Sequence, residues 1–187
     1  MNLNELRDKA YRCAVAHGWH EEEKGDVHWL CLVMSELMEA VNADRVCSHS
    51  KVAMFKEWQG NSIPLTEETR LKRFNEDFEA YIKDTVEDEL ADACIRLLDL
   101  AGLREYDLDD YDYEENDTED YSEMSFTESI FRICVYITDD FYIDMPSIIL
   151  NEIFAFCKDR NIDIFWYIEQ KMKYNELHPY KHGDKSY

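Results

Sequence analysis

Glycine and proline are scarce in this chain, five and three respectively among 187 residues. A β-rich fold of this length needs far more turn punctuation than that. Long stretches instead repeat apolar residues at helical spacing. Trp29, Leu30, Val33, Leu37 and Val41 form one stripe, and Val86, Leu90, Ala93, Leu97 and Leu100 form another. With 45% hydrophobic residues there is enough material for one sizeable core. The expected fold is therefore a single all-α domain over residues 1–187.

The expected helices follow from caps and breakers. Asn4 should cap a first helix that runs to about His17 and is ended by Gly18. Asp26 should open a second. Residues 47–66 read as irregular. A long third helix should start at Thr66-Glu67-Glu68 and reach about Leu103, interrupted near Glu76, with Gly102 suited to its end. Helix should resume at Thr127, again at Pro146, and last from Asp163 to about Leu177. Between them, Glu105–Glu123 holds eleven acidic residues and no Lys or Arg, and reads as a low-complexity loop insertion that its tyrosines could anchor.

The net charge is −22, half of it from that insertion. So acidic a surface argues against nucleic-acid polymers and anionic membranes as partners. None of the six cysteines forms a CxxC pair, and free thiols in a reducing cytoplasm are expected. The polar N-terminus has no signal-peptide core, and no apolar run reaches membrane-spanning length. A cytoplasmic location is expected.

Two acidic pairs carry the chemistry. Glu36 and Glu39 lie in SELMEA, and Glu89 and Asp92 in EDELADA. Spacing of i,i+3 puts each pair on one helical face. In a chain with 42 acidic residues such pairs also arise by chance, as with Glu76 and Glu79. These two, however, ride on the most apolar helices, where uncompensated negative charge is costly. Four carboxylates converging between two helices would hold a hard cation, Mg²⁺ or alternatively Mn²⁺. Di-iron bundles use Glu-x-x-His motifs, and neither Glu36 nor Glu89 has His three residues on.

The segments SELMEAVNADR, EDELADACIRLLDLAG and KMKYNELHPYKHGDKSY, in this order, resemble the MazG-like all-α nucleoside triphosphate pyrophosphohydrolases. The resemblance covers about residues 1–45 and 80–103 and the C-terminal helix and tail. It implies a MazG-like helical bundle with an acidic loop insertion and additional helices before the C-terminal helix. It also implies cleavage of an NTP or dNTP between the α- and β-phosphates to a nucleoside monophosphate and pyrophosphate. Glu36, Glu39, Glu89 and Asp92 would be the Mg²⁺ ligands, with Glu36 or Glu39 as general base. Lys171 and Asn175 match the family's nucleotide-binding K-x-x-x-N pattern, His178 stands where Arg is usual, and Lys181 and Lys185 fit the basic tail. A homodimer or homotetramer is implied as well.

Apart from the resemblance, Lys24 is placed to reach a phosphate, or to be a solvated loop charge. Trp19 and Trp29 could stack on a base or belong to the core. His20 and His28 read as surface or helix-start residues. Two further readings stand beside the enzyme: a non-catalytic nucleotide- or metal-binding protein on the same scaffold with a protein partner, and an acidic helical interaction protein such as a nucleic-acid mimic.

Overall fold

The computed structural model describes residues 2–59, 66–108, 118–139 and 146–180. Within them the chain forms eight helices and no strand. These are α1 (Leu3–Ala16), α2 (Asp26–Arg45), α3 (Val52–Gln59), α4 (Glu67–Tyr81), α5 (Val86–Leu103), α6 (Phe126–Thr138), α7 (Pro146–Asp159) and α8 (Ile164–Glu176). The all-α expectation is met.

The centre of the molecule is α5. Twelve of its eighteen residues are buried, which a helix with one apolar stripe would not allow. It is covered by α1, α2, α7 and α8, while α6 packs on α2 and α7. The α3, α4 and α8 helices meet in an aromatic cluster, in which Phe55 is edge-on to Phe74, Phe78 and Trp166. No helix among the described residues is long and apolar enough to cross a membrane.

Three boundaries differ from the sequence reading. First, Asn2 caps α1 by accepting the Glu5 N–H, while Asn4 lies inside the helix and bonds Asp107 and the Leu108 N–H. Second, the region 47–66 is not wholly irregular, because Val52–Gln59 forms α3 and buries Phe55 against α4. Third, the long helix breaks at 82–85 rather than near Glu76. Asp84 takes a positive φ of 58°, and Thr85 caps α5 by accepting the Asp88 N–H while its hydroxyl donates to the Ile82 carbonyl at 2.6 Å. The Asp84 N–H in turn donates to Asp88 Oδ2 at 3.0 Å.

The acidic stretch is tied down at both described ends. Arg7 Nη1 donates to the Tyr106 carbonyl, and the fully buried Tyr121 donates its hydroxyl to Glu152 on α7 at 2.6 Å. Residues 109–117, with Tyr111 and Tyr113, lie outside the described residues. Cys94, Cys134 and Cys157 are buried and all six thiols are free.

Gly102 lies within the last turn of α5, where α1 crosses closely. A Cβ there would sit 2.5 Å from Tyr11 Cβ and 3.3 Å from the Arg7 carbonyl. Alanine should gain up to about 1 kcal/mol of helix preference. The clash should outweigh that gain, leaving Gly102→Ala less stable by about 1–3 kcal/mol in urea unfolding.

Candidate functional site

A cavity of about 500 Å³ opens between α2, α5, α8 and the end of α1. Both acidic pairs line it, as do Lys171, Asn175, His178, Trp19 and Trp29. Lys24 does not. Its ammonium pairs with Glu22 at 2.7 Å, and its carbonyl accepts from Arg104. Lys181 and Lys185 lie outside the described residues.

The four carboxylates are not equivalent. Glu36 (7% exposed) and Glu89 (6% exposed) are buried, Asp92 is half-buried and Glu39 is exposed. One carboxylate oxygen each from Glu36, Glu89 and Asp92 lies within 4.8 Å of the others. Glu39 sits one turn further along α2, at the cavity rim, 3.5 Å from Ser35 Oγ. A second acidic group, Asp84, Asp88 and Glu89, shares Glu89 with the first.

Two cations hold this cluster from either side. Arg96, four residues after Asp92 on α5, donates through Nε to Glu36 Oε1 at 2.5 Å. Lys171 on α8 places Nζ 2.8 Å from Asp88 Oδ2 and 2.8 Å from Asp92 Oδ2. Asp88 is 1% exposed, and its other oxygen has no hydrogen-bond partner among the described residues. The ammonium therefore organises two carboxylates from inside the core.

Burial is the first cause of every carboxyl shift here. It pushes Glu36 up against the opposing pull of Arg96, with Asp92 adding to the rise. Asp88 is likewise raised, although Lys171 and the Asp84 N–H oppose it. Glu89 is pushed to about 8 by burial and then by Asp92 and Asp88. Lys171 stays cationic: burial lowers its pKa, but Asp92 and Asp88 more than compensate. Across the cavity, His178 is held below the ordinary histidine value by burial, so its ring is neutral at pH 7.

This donor set fits a hard divalent cation. Among the described residues, neither Glu89 oxygen accepts a hydrogen bond, and Glu36 and Asp92 each engage only one oxygen. The three ligand atoms that lie together, from Glu36, Glu89 and Asp92, are all carboxylate oxygens. Mg²⁺ favours such ligands while keeping part of its water shell.

Sequence reasoning missed Asp88, Arg96, and the pair His20 and Asp99. Arg96 and Asp99 continue the Asp92 face at i+4 and i+7, so helical spacing alone could have marked them. Asp88 was marked by the Thr85 cap three residues before it. His20 carried no such signal. It is not a surface residue: its Nε2 contacts Asp99 Oδ1 at 2.8 Å. Comparison with protein-family models, with curated proteins and with solved structures finds no match to this chain.

Proposed function

We propose that this protein is a Mg²⁺-dependent nucleotide pyrophosphohydrolase. The observation that carries the reading is the convergence of Glu36, Glu89 and Asp92 in a cavity that also presents Asn175, His178 and two tryptophans. The acidic end suits a cation that carries phosphates, and the aromatic wall suits a base. The motif resemblance supplies the reaction class and implies a homodimer or homotetramer.

Glu36, Glu89 and Asp92 would hold the ion, which neutralises phosphate oxygens and makes the α-phosphorus a better electrophile when bound. Lys171, buried, fixes Asp92 rather than meeting substrate itself, and Arg96 holds Glu36 through Nε. Glu39, exposed at the rim and outside the ligand set, is the carboxylate free to take a proton from the attacking water. Water oxygen bonds to the α-phosphorus, the bond from that phosphorus to the α,β-bridging oxygen breaks, and pyrophosphate leaves with the bridging oxygen. Asn175 can donate to phosphate or sugar. A neutral His178 gives less phosphate attraction than an arginine would.

The test is pyrophosphate release across NTPs and dNTPs with Mg²⁺ or Mn²⁺, run beside Glu39→Gln and Asp92→Asn. Each substitution is expected to cost about 10²-fold or more in turnover. Equal activity in wild type and both variants, or none with any nucleotide, ends the enzymatic reading. His178→Arg should tighten nucleotide binding.

A second reading, a non-catalytic nucleotide- or metal-binding protein on the same scaffold, draws on one observation. Glu36 and Asp92 already carry cationic partners, so the cluster is partly neutralised without any ion. Nucleotide or Mg²⁺ binding without pyrophosphate release would select it.

A further inference from the structure

Beyond the acidic cluster the same cavity contains a second carboxylate site, Asp99. It follows Asp92 by seven residues on α5, and Asp92, Arg96 and Asp99 all line the cavity. At 1.5 Å per residue, Asp99 lies about 10 Å along the helix axis from Asp92, the nearest of the proposed metal ligands on α5. That separation matches the reach of a nucleotide from its α-phosphate to the far edge of its base.

Asp99 is built into its position. Its side chain is 14% exposed and His20's is 9% exposed, and they meet at 2.8 Å. The His20 ring is itself wedged between Tyr11 and Trp29, with ring centroids 5.3 Å and 4.9 Å away. This holds the Oδ1 side of the carboxylate against His20. Oδ1 is engaged by His20, and Oδ2 has no hydrogen-bond partner among the described residues. The cavity that Asp99 lines also has Trp19, Trp29, Ala10, Cys13 and Ala14 in its wall, and Trp29 lies against His20. A planar ring sliding between such walls would meet one oriented acceptor at its edge.

We infer that Asp99 reads the base of the bound nucleotide and selects bases that present an exocyclic amino group. An amino N–H can donate to Oδ2, whereas an oxo group would set its lone pairs against a carboxylate. Carboxylate acceptors pair with base amino groups in this way in nucleic-acid recognition. Burial raises the Asp99 carboxyl, and the His20 hydrogen bond opposes that rise and favours the ionised acceptor. His20 acts as a positioning residue through Asp99. This inference rests on the nucleotide reading of the cavity but not on turnover.

The experiment uses matched pairs that differ only in the amino group: CTP with pyrimidin-2-one riboside triphosphate, GTP with ITP, and ATP with purine riboside triphosphate. Each is used as its α,β-methylene analogue, which resists the proposed cleavage. Binding to the full chain with Mg²⁺ is followed by tryptophan fluorescence. In at least one pair, wild type should prefer the amino member by about fivefold or more, because a site built for a donor is left unpaired by the analogue that lacks it. Asp99→Asn, which keeps the shape and can still meet His20, should bring that ratio towards one. A ratio below fivefold in every wild-type pair overturns the inference whether or not the variant folds. So does an undiminished ratio in Asp99→Asn, and so does failure of every nucleotide to bind. Selective binding without pyrophosphate release from ordinary NTPs would remove the hydrolase reading and leave this inference standing. Release without base preference would do the reverse.

Discussion

Replacing Lys171 with methionine is expected to destabilise the metal-free protein by about 3–5 kcal/mol, the range for removing one partner of a buried ion pair. Methionine nearly preserves the volume and the contacts with the surrounding apolar side chains, so lost packing adds little. What changes is charge. Asp88 and Asp92 lose an ammonium that is 2.8 Å from each, and Asp88 has almost no access to water. Urea unfolding at pH 7 in EDTA measures the loss. Adding Asp88→Asn to the variant should recover part of it, because the buried charge then disappears. Mg²⁺ should also stabilise Lys171→Met more than wild type, since the ion takes over work the ammonium did for Asp92. A loss below about 1 kcal/mol would mean that water reaches Asp88 and that the pair is a surface contact in effect.

Glu89→Gln should separate stability from activity. In wild type without metal the folded state holds the Glu89 proton up to about pH 8, while the unfolded chain releases it near 4.5. The folded protein therefore binds more protons across that interval, and its stability falls as pH rises from about 4.5 to 8. Glutamine removes this term, so the slope should flatten and the variant should melt higher than wild type at pH 8 in EDTA. Asp88 is raised by burial too, so part of the slope remains. Bound Mg²⁺ reverses the wild-type behaviour, because its ligands must be deprotonated. The Mg²⁺-induced rise in melting temperature should grow between pH 6 and 8 in wild type and be small in Glu89→Gln. Turnover in the variant should drop on the order of 10²–10³-fold, the loss of several kcal/mol of Lewis-acid stabilisation. Equal melting temperatures and equal Mg²⁺ responses in the two proteins would sink the metal assignment.

The helices that build the site were legible because their own side chains encode them. The stripes on α2 and α5 repeat at helical spacing and bury Val33, Leu37, Leu90 and Leu97. That Glu36 and Glu39 share a helical face was legible as well. Their different depths were not, because three residues along a helix is still a 60° step and the buried sector of α2 ends between them. The countercharges were hidden for another reason. Arg96 finds Glu36 from 60 residues away and Lys171 finds Asp88 from 83 residues away, so only packing brings them together. The α3 helix escaped notice because its eight residues are too few to establish a period. The break before α5 falls after Tyr81, because α4 runs unbroken through Glu76. The real stop, Asp84-Thr85, uses a left-handed residue and a cap, both of which are local chemistry.

That stop also partitions the chain mechanically. In one continuous rod, adding a single residue anywhere before Glu89 would rotate everything upstream by about 100° relative to it. With the chain turned at 82–85, the register of α5, and with it the facing of Glu89 and Asp92 toward Glu36, is set by the Thr85 cap and not by the helical phase of α4. The joint thus works as a register insulator between the two halves of the acidic site. One residue inserted between Thr85 and Asp92 should dismantle the cluster, whereas one inserted in α4 should first disturb the packing of Phe74 and Phe78 on Phe55.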